Sequence, residues 1–150
     1  TALKVICDQS GYKVVTEQWV PQPIDKVYEF FDQKNLEIFT PGFLHFKIAQ
    51  VSHPKDQEGT VVDYRLKLHS APVRWQSRIT GWVPYKRFSD LQARGSYTFW
   101  HHIHEFYESK RDTVIRDNVT YKLPECVLWD ILAHAYIKKD LEKFFIFRRQ

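Results

Sequence analysis

The sequence predicts an α+β fold: a curved antiparallel sheet of about seven strands wrapped around a long C-terminal helix, with two short helices after the first strand. Three observations predict it. Apolar residues alternate with polar ones in successive segments through the middle of the chain, the pattern of strands with one covered face. Short turn-like stretches join these segments, so sequence neighbours pair as an antiparallel meander and not as βαβ units. One long helical pattern near the end of the chain is the only element large enough to cover the apolar face so formed.

Taken in order, Tyr12 to Val20 reads as a strand, closed by Pro21-Gln22-Pro23. A helical pattern follows from Ile24 to Phe31, with Val27, Phe30 and Phe31 on one side. A shorter helix covers Asn35 to Phe39 and stops at Thr40-Pro41-Gly42. Alternation then recurs in Leu44/Phe46/Ile48, in Val62/Tyr64/Leu66/Leu68 and in Val73/Trp75/Ser77/Ile79. Strands continue through Arg87 to Arg94, Tyr97 to Tyr107 and Thr113 to Leu123, with Gly95-Ser96 as one of the turns. After Pro124 the long helix runs from about Cys126 to Arg148. Its apolar residues form two stripes, Leu128/Ile131/Leu132/Ala135 and Ile137/Leu141/Phe144/Phe145, offset by about a third of a turn. Such a helix either bends around the sheet or covers two different things.

The 150 residues suit one domain with one core, and no repeat or linker divides them. Hydrophobic residues make up 43% and aromatic residues 16%, enough to offset the entropy of ordering the chain. No run approaches the roughly 18 apolar residues of a membrane span. Thr1 to Val20 carries no export pattern, and a first residue of Thr1 without any Met points to a trimmed start. Cys7 and Cys126 make no disulfide framework, so reduced thiols and a cytoplasmic location are expected. The net charge of +4 is spread over residues such as Lys4, Lys67, Arg111 and Arg149. That distribution reads as a solvated surface and speaks against nucleic-acid binding, which wants a concentrated basic stripe.

Strand alternation assigns the polar residues to faces. In Thr113 to Leu123, Ile115, Asp117, Val119, Tyr121 and Leu123 share the apolar face, which places Asp117 where a carboxylate is costly unless paired. In Tyr97 to Tyr107, Trp100, His102, His104 and Phe106 form the inward face. The other face of that strand, through the Gly95-Ser96 turn, keeps company with Asp90, Gln92 and Arg94. A hairpin near Lys110-Arg111 sets Trp100 opposite Tyr121, His102 opposite Val119 and His104 opposite Asp117. A hairpin around Ser70-Ala71-Pro72 sets Tyr64 opposite Ser77 and Leu66 opposite Trp75. Tyr64, Ser77, His102, His104, Asp117 and Tyr121 then converge on one concave, mostly apolar face, the general form of a ligand pocket. An Asp–His pair and two Tyr hydroxyls also satisfy one another in an ordinary core. His-x-His at His102 and His104 suits a metal only with a third ligand, which on this register is Asp117, so no metal is expected. No Ser-His-Asp or Cys-His elbow and no phosphate-cradling loop is present, and no cofactor is expected.

Several of these segments together resemble the START-like, polyketide cyclase-like (SRPBCC) helix-grip superfamily, and within it a bacterial ligand-binding branch of undefined function. The residues are Asn35-Leu36 with Thr40-Pro41, Tyr64-Arg65-Leu66, Pro72-Val73-Arg74-Trp75 with Ser77 and Ile79-Thr80, and Phe88 with Asp90 and Gln92. Gly95 with Tyr97, Trp100-x-His102-x-His104-x-Phe106, Asp117-x-x-x-Tyr121-x-Leu123-Pro124 and Phe147-Arg148 complete the match. Two turns depart from the branch: Gly95-Ser96-Tyr97 stands for the usual Gly-Pro-Tyr, and Ser109-Lys110-Arg111-Asp112 lacks the usual glycines. The resemblance implies a curved sheet around the last helix and a cavity between them. Carriers, receptors and aromatase/cyclases all use that fold, so it does not choose among them.

The leading expectation is a binding module for a small hydrophobic or aromatic molecule. Trp75, Trp100, Phe106 and Tyr121 would supply apolar surface, while Tyr64, Ser77, His102, His104 and Asp117 orient the ligand. The second is a cyclase, dehydratase or hydrolase in which His104, tuned by Asp117, is the general base. The third is a structural or partner-regulating domain with its interior filled by its own rings.

Overall fold

A computed structural model describes residues 4–8, 11–31, 35–68, 70–124 and 130–148. Eight antiparallel strands form one sheet in the order β1-β2-β8-β7-β6-β5-β4-β3. They are β1 (Lys4–Asp8), β2 (Gly11–Val20), β3 (Lys47–Val51), β4 (Val61–Leu68), β5 (Ala71–Val83), β6 (Arg87–Arg94), β7 (Phe99–Ser109) and β8 (Asp112–Lys122). Helices α1 (Ile24–Phe30) and α2 (Leu36–Phe39) lie between β2 and β3, and α3 (Asp130–Arg148) follows β8. The edge strand β1 adds to the strands read from the alternation. No helix among the described residues is long and apolar enough to cross a membrane.

The β7–β8 ladder has the register the sequence predicts, with Trp100 opposite Tyr121, His102 opposite Val119 and His104 opposite Asp117. Alternation along β8 is strict: Thr113, Ile115, Asp117, Val119 and Tyr121 are buried, and the residues between them are partly exposed. Two other hairpins differ from expectation. The β4–β5 turn is tighter, pairing Leu68 with Ala71 around Ser70, whose φ of 70° lies in the left-handed region. Tyr64 therefore faces Trp75, and Ser77 faces Val62. A slip of two residues keeps every side chain on its own face. Between β6 and β7 the connection is longer, so Asp90 pairs with His102 and Phe88 with His104. That is a slip of one, and it turns Asp90 from the outer face to the concave one.

The concave face curves where β5 breaks register at Gln76/Ser77 and again between Thr80 and Val83, next to Gly81 at a φ of 61°. The helix α3 lies over this face. Leu141 and Phe145 pack with Val14, Val119 and Tyr121, supported by Ile137 and Phe144. A second cluster, Val27, Ile79, Phe88, Phe106 and Ile115, lies under α1. Of the other stripe on the last helix, Ala135 is exposed. The predicted start near Cys126 and the side chains of Leu128, Ile131 and Leu132 lie outside the described residues.

Candidate functional site

A cavity of about 180 Å³ opens between the sheet and α3. Its apolar wall comes from α2 and the turn after it (Leu36, Phe43, Leu44), from β4 (Val62, Leu66, Leu68) and from α3 (Ile137, Leu141, Phe144, Phe145). Of the residues singled out by sequence, Tyr64, Trp75, Ser77, Trp100, His102 and His104 line it. Phe106 does not: it is a core residue between Val27 and Ile115. Tyr121 also stands back from the cavity, fully buried and stacked on Tyr12 at 5.4 Å. Both side chains lie on the predicted face, but Phe106 is packed against Val27 of α1 and Tyr121 against Leu141 and Phe145 of α3.

One wall is aromatic. Trp75 meets Trp100 edge-on at 5.5 Å and Tyr97 at 5.5 Å. Its indole N–H donates to Ser77 Oγ at 3.1 Å, and the same Oγ lies 3.1 Å from the Tyr64 hydroxyl. Burial pushes the Tyr64 hydroxyl well above its ordinary value, so it is a neutral donor. Tyr97 is held in place by Gln92, whose amide donates to Tyr97 O at 2.7 Å and accepts from Tyr97 N at 3.3 Å. A Cβ at Gly95 would collide with that Gln92 amide and come within 3.0 Å of the Trp75 ring, so this turn needs glycine for space.

The other wall is an ion network. His102 Nε2 donates to Asp117 Oδ1 at 2.8 Å, and His104 Nε2 donates to Asp90 Oδ2 at 3.0 Å. His104 Nδ1 also lies 2.9 Å from Asp117 Oδ1 but is not aligned for a hydrogen bond. The expected His104–Asp117 pair is thus present as an ion pair, and the structure adds a second acid to it. Asp117 takes its hydrogen bond from His102, and His104 gives its own to Asp90, whose placement on the concave face depended on the β6–β7 slip. The two imidazoles lie 3.9 Å apart. Behind them, Arg148 Nη1 is 3.8 Å from Asp117 Oδ1.

Electrostatics divide the two histidines. Burial opposes a charge on His104, but the carboxylates of Asp117 and Asp90 on either side outweigh it and raise its pKa. Burial and the neighbouring His104 charge lower His102 to about 4. Burial would raise both acids, yet His102 and His104 hold Asp117 far below the carboxylate range, and His104 chiefly lowers Asp90. The network therefore favours the charged form of His104, between two carboxylates, and the neutral form of His102.

This arrangement predicts acid sensitivity. A base with a depressed folded-state pKa adds stability above its ordinary value of 6.5 and loses it as pH falls towards 4. His102 alone is expected to remove roughly 3 kcal/mol of stability over that window. His104 has the opposite sign: its contribution is complete below 6.5 and is lost as pH rises through its raised value. Urea unfolding of wild type and His102→Gln across the window separates them. The variant should lose less than about 1 kcal/mol there, and parallel losses in both proteins would assign the acid limb to another group.

Asp90, His102 and His104 each present a donor atom, all within 4.8 Å of one another. That two-histidine, one-carboxylate set suits a divalent metal in principle. The sequence reading had Asp117 as the third ligand, and the β6–β7 register makes it Asp90. Both Nε2 atoms are engaged with carboxylates, so an ion would have to break two charge-assisted hydrogen bonds and displace the His104 proton. As folded, the donors form an ion-pair network.

No family model matches the chain, and no curated protein does. Solved structures do. Protein Ms6760 from Mycobacterium smegmatis superposes with a TM-score of 0.67 at 17% identity, over 99% of this chain and 94% of that one. Protein TTHA0849 from Thermus thermophilus gives 0.65 at 18% identity, over 91% and 94%. A START superfamily protein from Mycobacterium smegmatis gives 0.60 at 9% identity, over 89% and 96%. At such identities the likeness is one of fold, and chemistry must be argued from the cavity itself.

Proposed function

With the START-like helix-grip fold as its frame, we propose that this chain binds a small, largely apolar molecule in the cavity between the sheet and α3. The observation that carries the reading is the cavity's composition: aromatic and aliphatic walls meeting one buried polar corner. The ligand's ring or chain would lie against Trp75, Trp100 and the α3 aliphatics. Tyr64, Ser77, His102 and His104 would fix its orientation, with Asp117 acting through the histidines.

Native mass spectrometry of the chain purified from its own host should show one small molecule per chain. N-phenyl-1-naphthylamine, an uncharged fluorescent probe, should bind the emptied protein. Leu68→Trp, which fills the cavity from a half-buried position on β4, should weaken that binding by about tenfold or more. Bare chain in the spectrometer together with no probe binding would sink the reading.

An enzyme of the cyclase or dehydratase kind is the second reading, favoured by the histidines at the cavity wall. The carboxylates of Asp117 and Asp90 favour the protonated form of His104, which fits a general acid better than the general base expected from sequence. Turnover of a bound candidate that is lost in His104→Gln, with binding retained, would select it.

A further inference from the structure

Arg148 is the last described residue of α3, and its side chain retains only 8% exposure. It belongs to the buried face of the helix, continuing the stripe of Leu141, Phe144 and Phe145. Its guanidinium carbon sits 4.4 Å from the Phe144 ring centre, 5.6 Å from Phe39 and 5.9 Å from Phe31. These rings surround the guanidinium. Its Nε and Nη1, which point to different sides of the group, are buried and have no acceptor among the described residues. Asp117 is the nearest acid, at 3.8 Å, beyond hydrogen-bond reach, and its Oδ1 already accepts from His102. A buried charge with unmet donors is costly, and arginine does not escape by deprotonation. The same side chain lines the cavity.

We propose that Arg148 is the anchor for an acidic group of the ligand, so that the molecule held here is an amphipathic organic acid, a carboxylate on an apolar ring or chain. This rests on the reading of the cavity as a binding site and names the ligand class. A carboxylate matches a guanidinium edge in shape and would give one of these buried donors the acceptor that the described residues do not. The charged groups facing the guanidinium are Asp117 on β8 and, beyond it, Asp90 on β6, and both acids are engaged by His102 and His104 on β7. The apolar remainder of the ligand then extends from the Phe31, Phe39 and Phe144 cage toward Trp75.

The test uses two scaffolds, 1-naphthylacetate and dodecanoate, each against its own primary amide, by calorimetry near neutral pH with emptied full-length chain. Wild type should bind at least one acid about tenfold or more tighter than the matching amide. Arg148→Gln should bring acid and amide to equal affinity, and Arg148→Lys should keep part of the preference. Equal binding of acid and amide by wild type would overturn the proposal and leave the cavity reading intact. Preference retained in Arg148→Gln would also overturn it, by placing the recognition elsewhere. Binding of none of the four probes would remove the cavity reading and this proposal together. If Arg148→Gln does not fold, the wild-type comparison and Arg148→Lys still decide.

Discussion

Asp117→Ala is expected to destabilise the protein by roughly 3–5 kcal/mol, the range for removing one member of a buried ion network. The carboxylate is almost wholly buried and stands at the meeting point of His102, His104 and Arg148. Its loss leaves the His102 N–H without an acceptor and His104 with Asp90 alone. It also takes from Arg148 the nearest opposite charge. Most of the cost comes from stranded partners and little from the missing contact itself. The contrast is Asp117→Asn, which keeps the shape and one acceptor and should cost clearly less. Urea unfolding at neutral pH reads both, and adding Arg148→Met to Asp117→Ala should recover part of the loss, because the second change removes a stranded charge. A loss below about 0.5 kcal/mol in Asp117→Ala would show that the carboxylate is hydrated and the network open to solvent. At matched stability, unchanged probe affinity in Asp117→Asn would leave Asp117 a purely structural residue.

Trp75→Ala comes second, also at roughly 3–5 kcal/mol. The indole is 5% exposed and touches Tyr64, Tyr97 and Trp100 at once. Truncation enlarges an existing cavity, so the surrounding rings have little to collapse onto, and the cost should fall in the upper part of the range for large-to-small changes. It also removes the donor that Ser77 Oγ receives. Trp75→Phe retains most of the packing and should cost markedly less. Chemical denaturation measures both, and a negligible loss in Trp75→Ala would place the ring outside the packed wall.

Local alternation made the sheet legible, and turn lengths limited how far the site could be read. Along β7 and β8 every inward residue is apolar or paired, so faces and register followed from pattern alone. The β4–β5 slip was harmless because two residues are one full period of a strand. The β6–β7 slip was not, because Tyr97 and Thr98 stay out of the ladder while Gln92 clamps the Tyr97 backbone. That clamp is a tertiary contact with no local signature, and it decides that Asp90 faces His104. Arg148 carried a usable signal. Leu141, Phe144, Phe145 and Arg148 follow the i, i+3, i+4, i+7 spacing of one helical face, so a charge was due on an apolar stripe. What the spacing could not tell is that the aromatic residues Phe31 and Phe39, far away in sequence, would close over it.

The pairing of β2 with β8 constrains how the chain reaches this state. Glu17 and Arg116, which bond across that ladder, are 99 residues apart in sequence. The hairpins from β3 to β8 are local and close quickly, whereas the β2–β8 ladder must first bring distant segments together. During synthesis β2 is made early and its partner late, so its edge waits unpaired while most of the sheet is built. Asp117 acquires its neighbour Thr16 only at that last docking step. Folding rate should therefore respond to changes in the β4–β8 hairpins, and unfolding rate to changes along β2. The strand that leaves first on unfolding would be the one that covers the buried carboxylate, and water would reach the ion network before the aromatic wall is disturbed.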